Sequence, residues 1–392
     1  MNCRLALLVA LVAMSAPMAA PAAPFVPSGD DVVLETGLPN TDPRMREMRA
    51  LTRQLHDRPD NLSAAMRLAN WQLAMGVAEA DPRFVGYARG TLTPWWREDA
   101  GASPNLRILR ARILQAQHDF VPAANDLRAA LREVPDAAQA LLTLASIDEV
   151  TGDLEEAKSA CAHFAAVRPG LAAAACTASI GSLTGESEKS YSALRDAIAR
   201  EPAAESSQRL WARTILGEIA MRRDDPAAEQ HLREALALDG RNVYALTVYS
   251  DYLLDHDRPG DVQRLLRGFE RIDALYLRFV LAAQATRDAH VAGYRDDLAA
   301  RFEAARRQGD TLHLRDASRF ALEIEHDGAG ALAFAQQNWD THKTPYDARV
   351  LVAAAIACHD RVAAQPVIDW IATTHLEDRT IDRLVQQLTS MN

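Results

Sequence analysis

Residues 105–135 read NLRILRARILQAQHDFVPAANDLRAALREVP, and residues 136–169 read DAAQALLTLASIDEVTGDLEEAKSACAHFAAVRP. Laid over one another, the two stretches keep step. Ala111 falls on Ala145, Ala123 on Ala157 and Pro135 on Pro169, each 34 residues apart. Between these points His118-Asp119-Phe120 falls on Gly152-Asp153-Leu154, and Ala130-Leu131 on Phe164-Ala165. A shared step of that size is the period of a repeated helix–turn–helix unit. Ala111 and Ala145 let the first helix of a unit touch its partner, and Ala123 and Ala157 let the second approach the next unit. Gly152 supplies the positive backbone angle of a short turn, a conformation that costs His118 more. Pro135 and Pro169 end the second helices, since proline has no N–H to continue them.

These alanine, turn and proline offsets resemble the tetratricopeptide repeat family. The bulky residue that family carries near the start of the first helix is met by Leu141 and replaced by Arg107. The resemblance implies an all-α, right-handed superhelical solenoid of antiparallel helix pairs, divergent at both ends. Pro202 extends the series by 33 residues, and Ala228, Leu232 and Ala235-Leu236 mark a further unit. Tyr244 to Gly268 adds another, which sets the array proper at 105–268. Before it, 44–104 holds a capping helix through Met45, Met48, Leu51 and Leu55, then a divergent repeat with Phe84, Tyr87 and Leu92 on its second helix. Trp95-Trp96 reads as a plug between units, with a sugar- or peptide-binding pair as the alternative. After it, 269–392 is helical and less regular, with a long antiparallel pair over 271–308. Pro366 lies inside the last expected second helix, and residues 381–388 form a closing one.

The first 22 residues have the order of a secretory signal: Arg4, an apolar run from Leu5 to Val12, then small residues with cleavage near Ala22. Residues 23–43 read as an extended leader. The expectation is an exported protein, periplasmic or secreted, in a bacterial cell envelope, with no membrane span in the mature chain. Net charge is −10, and loss of Arg4 leaves −11, so a nucleic-acid partner is excluded for want of a basic face. Cys161 and Cys176 flank the turn at Pro169 on adjacent antiparallel helices. They read either as a disulfide or as two small core residues. Cys358 is left over.

No phosphate loop, nucleophile elbow or zinc-protease helix occurs, and the 11 histidines are scattered. The densest polar cluster, Glu323, Glu325, His326 and Asp327 with Asp340 and His342, offers an acid/base pair or a metal site. His326-Asp327 sits where His118-Asp119 does, before a second helix, so a turn and cap role is the better account. The reading is a non-enzymatic scaffold, without catalytic residues, cofactor or metal. Its partner is a protein or peptide, held in the groove formed by the first helices. The groove candidates are Asn105, Arg112, Gln115, Gln139, Ser146, Glu149, Ser179, Glu218, Tyr244 and Asp251. The alternative is an envelope enzyme or metal-binding protein with its site in the C-terminal half and repeats that recruit substrate.

Overall fold

Every regular element is helical among the residues that the computed structural model describes, 43–97, 102–307 and 313–391. The signal and most of the leader lie outside them. Helix α1 runs Pro43–Asp57, α2 Leu62–Glu79 and α3 Pro82–Thr91. The units that set the period follow: α4 Pro104–Ala116, α5 Phe120–Glu133, α6 Ala138–Thr151 and α7 Leu154–Val167. Next come α8 Leu171–Leu183, α9 Ser187–Arg200, α10 Ser206–Arg222 and α11 Ala227–Leu238. The later ones are α12 Val243–Asp255, α13 Pro259–Leu266, α14 Asp273–Ala285 and α15 Val291–Arg307. Last are α16 Leu314–Phe320, which runs on as a π-helical turn Ala321–Glu325, then α17 Gly328–Trp339, α18 Pro345–Ala357, α19 Gln365–Thr374 and α20 Arg379–Ser390.

Even-numbered helices from α2 to α16 each pair with the helix that follows, and each also touches the next even-numbered helix. They therefore form one continuous wall, as the resemblance to tetratricopeptide repeats implies. Close packing explains the small residues. Ala111, Ala123, Ala145 and Ala157 are all within 1% of full burial. A Cβ on Gly217 would come within 2.7 Å of Leu232, so α10 and α11 meet where no side chain fits between them. Gly152 (φ +87) and His118 (φ +57) both take the left-handed conformation in the turns after α6 and α4.

Leu51 to the C-terminus forms one compact unit. Its middle is a large apolar core over α8–α16, joined by smaller cores at either end. Trp96 packs against the cores on both sides of α4, which makes it the expected plug, and Arg89 lies 5.0 Å over its ring. Arg107 fills the bulky position by lying over the start of α4, its Nε donating to Ala102 O at 3.0 Å. Beside it Arg110, 1% exposed, is clamped to Asp126 of α5.

Phe84 and Tyr87 lie on the second helix of the divergent repeat, α3, which buries Val85 and Ala88 and leaves Tyr87 56% exposed. Two expectations are corrected. Pro366 opens α19 near its first turn, where a missing N–H costs nothing, so it starts a helix instead of breaking one. The last unit is also regrouped: α18 packs on α17 and α20 far more than on α19, with Ile381 and Leu388 buried. Cys161 of α7 and Cys176 of α8 form a disulfide with Cα atoms 5.6 Å apart.

The C-terminal helices do not simply extend the stack. They seat along the turns that close the middle units. His342 Nε2 lies 3.1 Å from His118 Nδ1, and Lys343 N donates to Val150 O at 2.7 Å. His375 abuts Gly185, and Arg383 reaches Asp224 at 3.3 Å. Leu154 and Leu183 complete the same apolar cluster as α17–α20.

Candidate functional site

The polar residues of the wall bridge one even-numbered helix to the next. Arg112 donates to Asn70 Oδ1 (2.8 Å), and Gln115 to Ser146 Oγ (3.1 Å). Ser179 Oγ donates to Glu149 (2.6 Å), Arg222 to Ser182 Oγ (2.6 Å) and the Tyr244 hydroxyl to Glu218 (2.5 Å). Arg278 of α14 then meets Asp251 of α12 at 2.7 Å. Each unit thus hands a hydrogen bond to its neighbour on the wall side, which fixes the angle between units as well as lining the surface.

Five of the expected groove residues come together. Ser146, Glu149, Ser179, Glu218 and Tyr244 line one cavity of about 380 Å³. It is not an open groove. Arg315 and the segment Thr344-Pro345-Tyr346, at the start of α18, also line it, with Trp211, Arg222 and apolar residues that include Leu142 and Ile215. Tyr244 keeps 45% of its surface exposed while its hydroxyl is bonded to Glu218. Gln139 lines an adjoining cleft with Leu142 and Trp211, both shared with the first cavity. Arg112 and Gln115 continue the wall toward α2, and Asn105 is exposed at the first turn of α4.

Asp251 belongs elsewhere. It is held by Arg278 and by Arg319 (2.8 Å) on a second cavity of about 260 Å³. Arg349, Asp255 and the apolar residues Leu322, Val350 and Leu384 also line that space. Burial works against an Asp251 charge, but the two guanidiniums outweigh it and hold its carboxyl well below the usual range. This aspartate is a structural ion, 7% exposed.

The two wall carboxylates have the opposite balance. Burial raises Glu149, with only the Ser179 hydroxyl and a distant Arg222 in opposition. Burial likewise pushes Glu218 up to about 7, against the Tyr244 hydrogen bond and Arg222. Burial also lifts Tyr244 and Tyr346 well above the ordinary phenol range, so both stay protonated donors. A carboxyl whose folded pKa is raised favours folding below its unfolded pKa, and that contribution is lost as pH climbs through the folded value. Glu218→Gln removes this slope, so the variant should gain on the wild type by roughly 1–3 kcal/mol between about pH 4 and about pH 8. Urea titrations at the two pH values measure it, and a pH-independent difference would show an ordinary carboxyl.

The polar cluster at 323–327 divides into structural roles. Glu323 pairs with Arg319 (2.9 Å), and His326 (φ +58) turns the chain after the π-helical segment. Asp327 caps α17 by accepting from Gly330 N at 2.9 Å, and Glu325 and Asp340 are exposed. Among the described residues no three His, Cys, Asp or Glu side chains are grouped to hold a metal. No described helix is long and apolar enough to cross a membrane.

Sequence reasoning missed Trp211, Arg222, Arg315 and Tyr346 on the cavity. A local signal existed for one of them: Thr344 and Asp347 form a capping box that announces the start of α18. Nothing local tells that this start lies against Glu218.

No family model matches the chain, and no curated protein matches it in sequence. Among solved structures it is similar to a Rap protein complexed with competence and sporulation factor. Identity there is 11%, over 88% of this chain and 97% of that one, with a TM-score of 0.45. It is similar to yeast Tom70 at 13% identity, covering 88% and 84%, with a TM-score of 0.40. A tetratricopeptide repeat protein from Parabacteroides merdae is 16% identical over 74% of this chain and all of that one, with a TM-score of 0.31.

Proposed function

We propose that the protein is a non-enzymatic scaffold that holds a peptide segment of a protein partner against its helical wall, in a bacterial cell envelope after export. The observation that carries this reading is the cavity of about 380 Å³ lined by successive even-numbered helices together with Arg315 of α16 and the start of α18. It mixes hydroxyls, carboxylates and aromatic faces, the composition that fixes an extended segment by side-chain contacts. Export is supported by the order of charge, apolar run and small residues over 1–22, and by the Cys161–Cys176 bond, which persists in oxidising compartments.

A photo-crosslinking residue placed at Ser146, on the cavity, should trap a discrete partner in the native host. The same residue at Val121, 75% exposed on α5, should not. Equal trapping at both positions, or none at Ser146, would remove the cavity from the account.

A further inference from the structure

The wall cavity holds two carboxylates, Glu149 and Glu218, and two guanidiniums, Arg222 and Arg315. Glu149 takes the Ser179 hydroxyl and Glu218 the Tyr244 hydroxyl, both neutral donors. Among the described residues neither carboxylate has an ion-pair partner within 4.0 Å. Arg222, the one cation felt by both, gives its Nη2 to Ser182, while Arg315 stands 3.7 Å from Asp347. Glu149 and Glu218 therefore share Arg222, because the other arginine of the lining, Arg315, is paired with Asp347 outside it. The rest of that lining includes three aromatic rings, Trp211, Tyr244 and Tyr346. Ring faces attract cations, and do so more strongly where water is scarce. At about 380 Å³ the space lies within the range of small-ligand sites, ~300–1,000 Å³.

We propose that this cavity receives a lysine or arginine side chain of the bound segment, its charge between Glu149 and Glu218 and its stem over Trp211, Tyr244 and Tyr346. The proposal rests on the wall being the binding surface and adds the chemistry it selects. Binding should release a proton near neutrality, because the incoming cation favours ionised carboxyls. The groups that face Glu218 are Arg222 on its own helix, Glu149 from α6, Tyr244 from α12 and Tyr346 from α18, and Arg315 of α16 lines the same cavity.

The test uses the full chain on an immobilised array of randomised peptides about ten residues long, long enough to cross two or three units. Signal should concentrate in peptides carrying Lys or Arg, and affinity of the wild type for those peptides should rise between about pH 6 and about pH 8. Glu149→Gln/Glu218→Gln should reduce the preference at least ~10-fold, or about 1.4 kcal/mol. Ser146→Lys, which supplies a cation from within, should do the same. Binding blind to peptide charge, a preference for acidic peptides, or a basic preference untouched in both variants would overturn the proposal and leave the wall as a binding surface. If no peptide of any charge binds, the reading beneath it fails as well. Agmatine, a free guanidinium, should compete only weakly; competition equal to that of the peptides would overturn the peptide assignment in favour of a small amine.

Discussion

Asp251→Ala should destabilise the protein by about 3–5 kcal/mol, the cost of breaking a buried ion pair from one side. Asp251 is 7% exposed and is bonded by Arg278, itself 2% exposed, and by Arg319. Its loss leaves two guanidiniums in the interior with less than their counter-charge. Arg278 keeps only Asp316, at 3.5 Å, and the Ala274 carbonyl, at 2.8 Å. Three even-numbered helices, α12, α14 and α16, meet at this point, so the damage spreads to the angle between three units. Urea denaturation of the two proteins measures the difference. A loss under about 1 kcal/mol would mean that the network is wet and screened, as surface pairs are. The effect should fade in acid as the wild-type carboxyl protonates, because a depressed pKa gives stability above the unfolded value that is lost as pH falls.

Replacing both Cys161 and Cys176 by serine should remove about 3 kcal/mol, the chain-entropy value for a loop of about 15 residues. The bond spans 15 residues and joins the second helix of one unit to the first helix of the next. It therefore ties units to one another, where a repeat array is weakest. Both sulfurs lie within the same apolar cluster as Leu141, Phe164 and Ile180, so serine adds a polar misfit to the lost constraint. Calorimetry of the double variant, and of the wild type with and without reductant, should agree. If reductant leaves the wild type unchanged, the two cysteines are ordinary core residues, the other reading their spacing allowed.

The regular part of this architecture could be read from residues alone because its causes are local. Alanines at a fixed step, Gly152 and His118 in turns, and Pro135 and Pro169 at helix ends each act within a few positions of themselves. The disulfide was half legible. Spacing put Cys161 and Cys176 on adjoining helices, and only the helix contact shows them within reach. Of the groove residues, Glu149, Ser179 and Glu218 were found by stepping along first helices, which is a local rule. Asp251 obeyed the same rule and was misplaced, because its partners Arg278 and Arg319 come from helices 27 and 68 residues on. Arg315 and Tyr346 were out of reach, since no pattern near them refers to residues 146–218.

The hydrogen bond between His118 and His342 spans 224 residues, and that between Asp224 and Arg383 spans 159. A stack held only by neighbours can nucleate anywhere and zip, and it can lose an end unit without alarm to its middle. Here the last helices are fastened to the centre, so the chain must wait for its far end before the central units acquire their final contacts. Such distant closures slow folding, and they convert piecemeal melting into a single cooperative event. A ribosome-bound or clipped chain that stops short of residue 342 would thus carry every central repeat with its bonds to its neighbours, yet lack the clasp of the last helices across their turns.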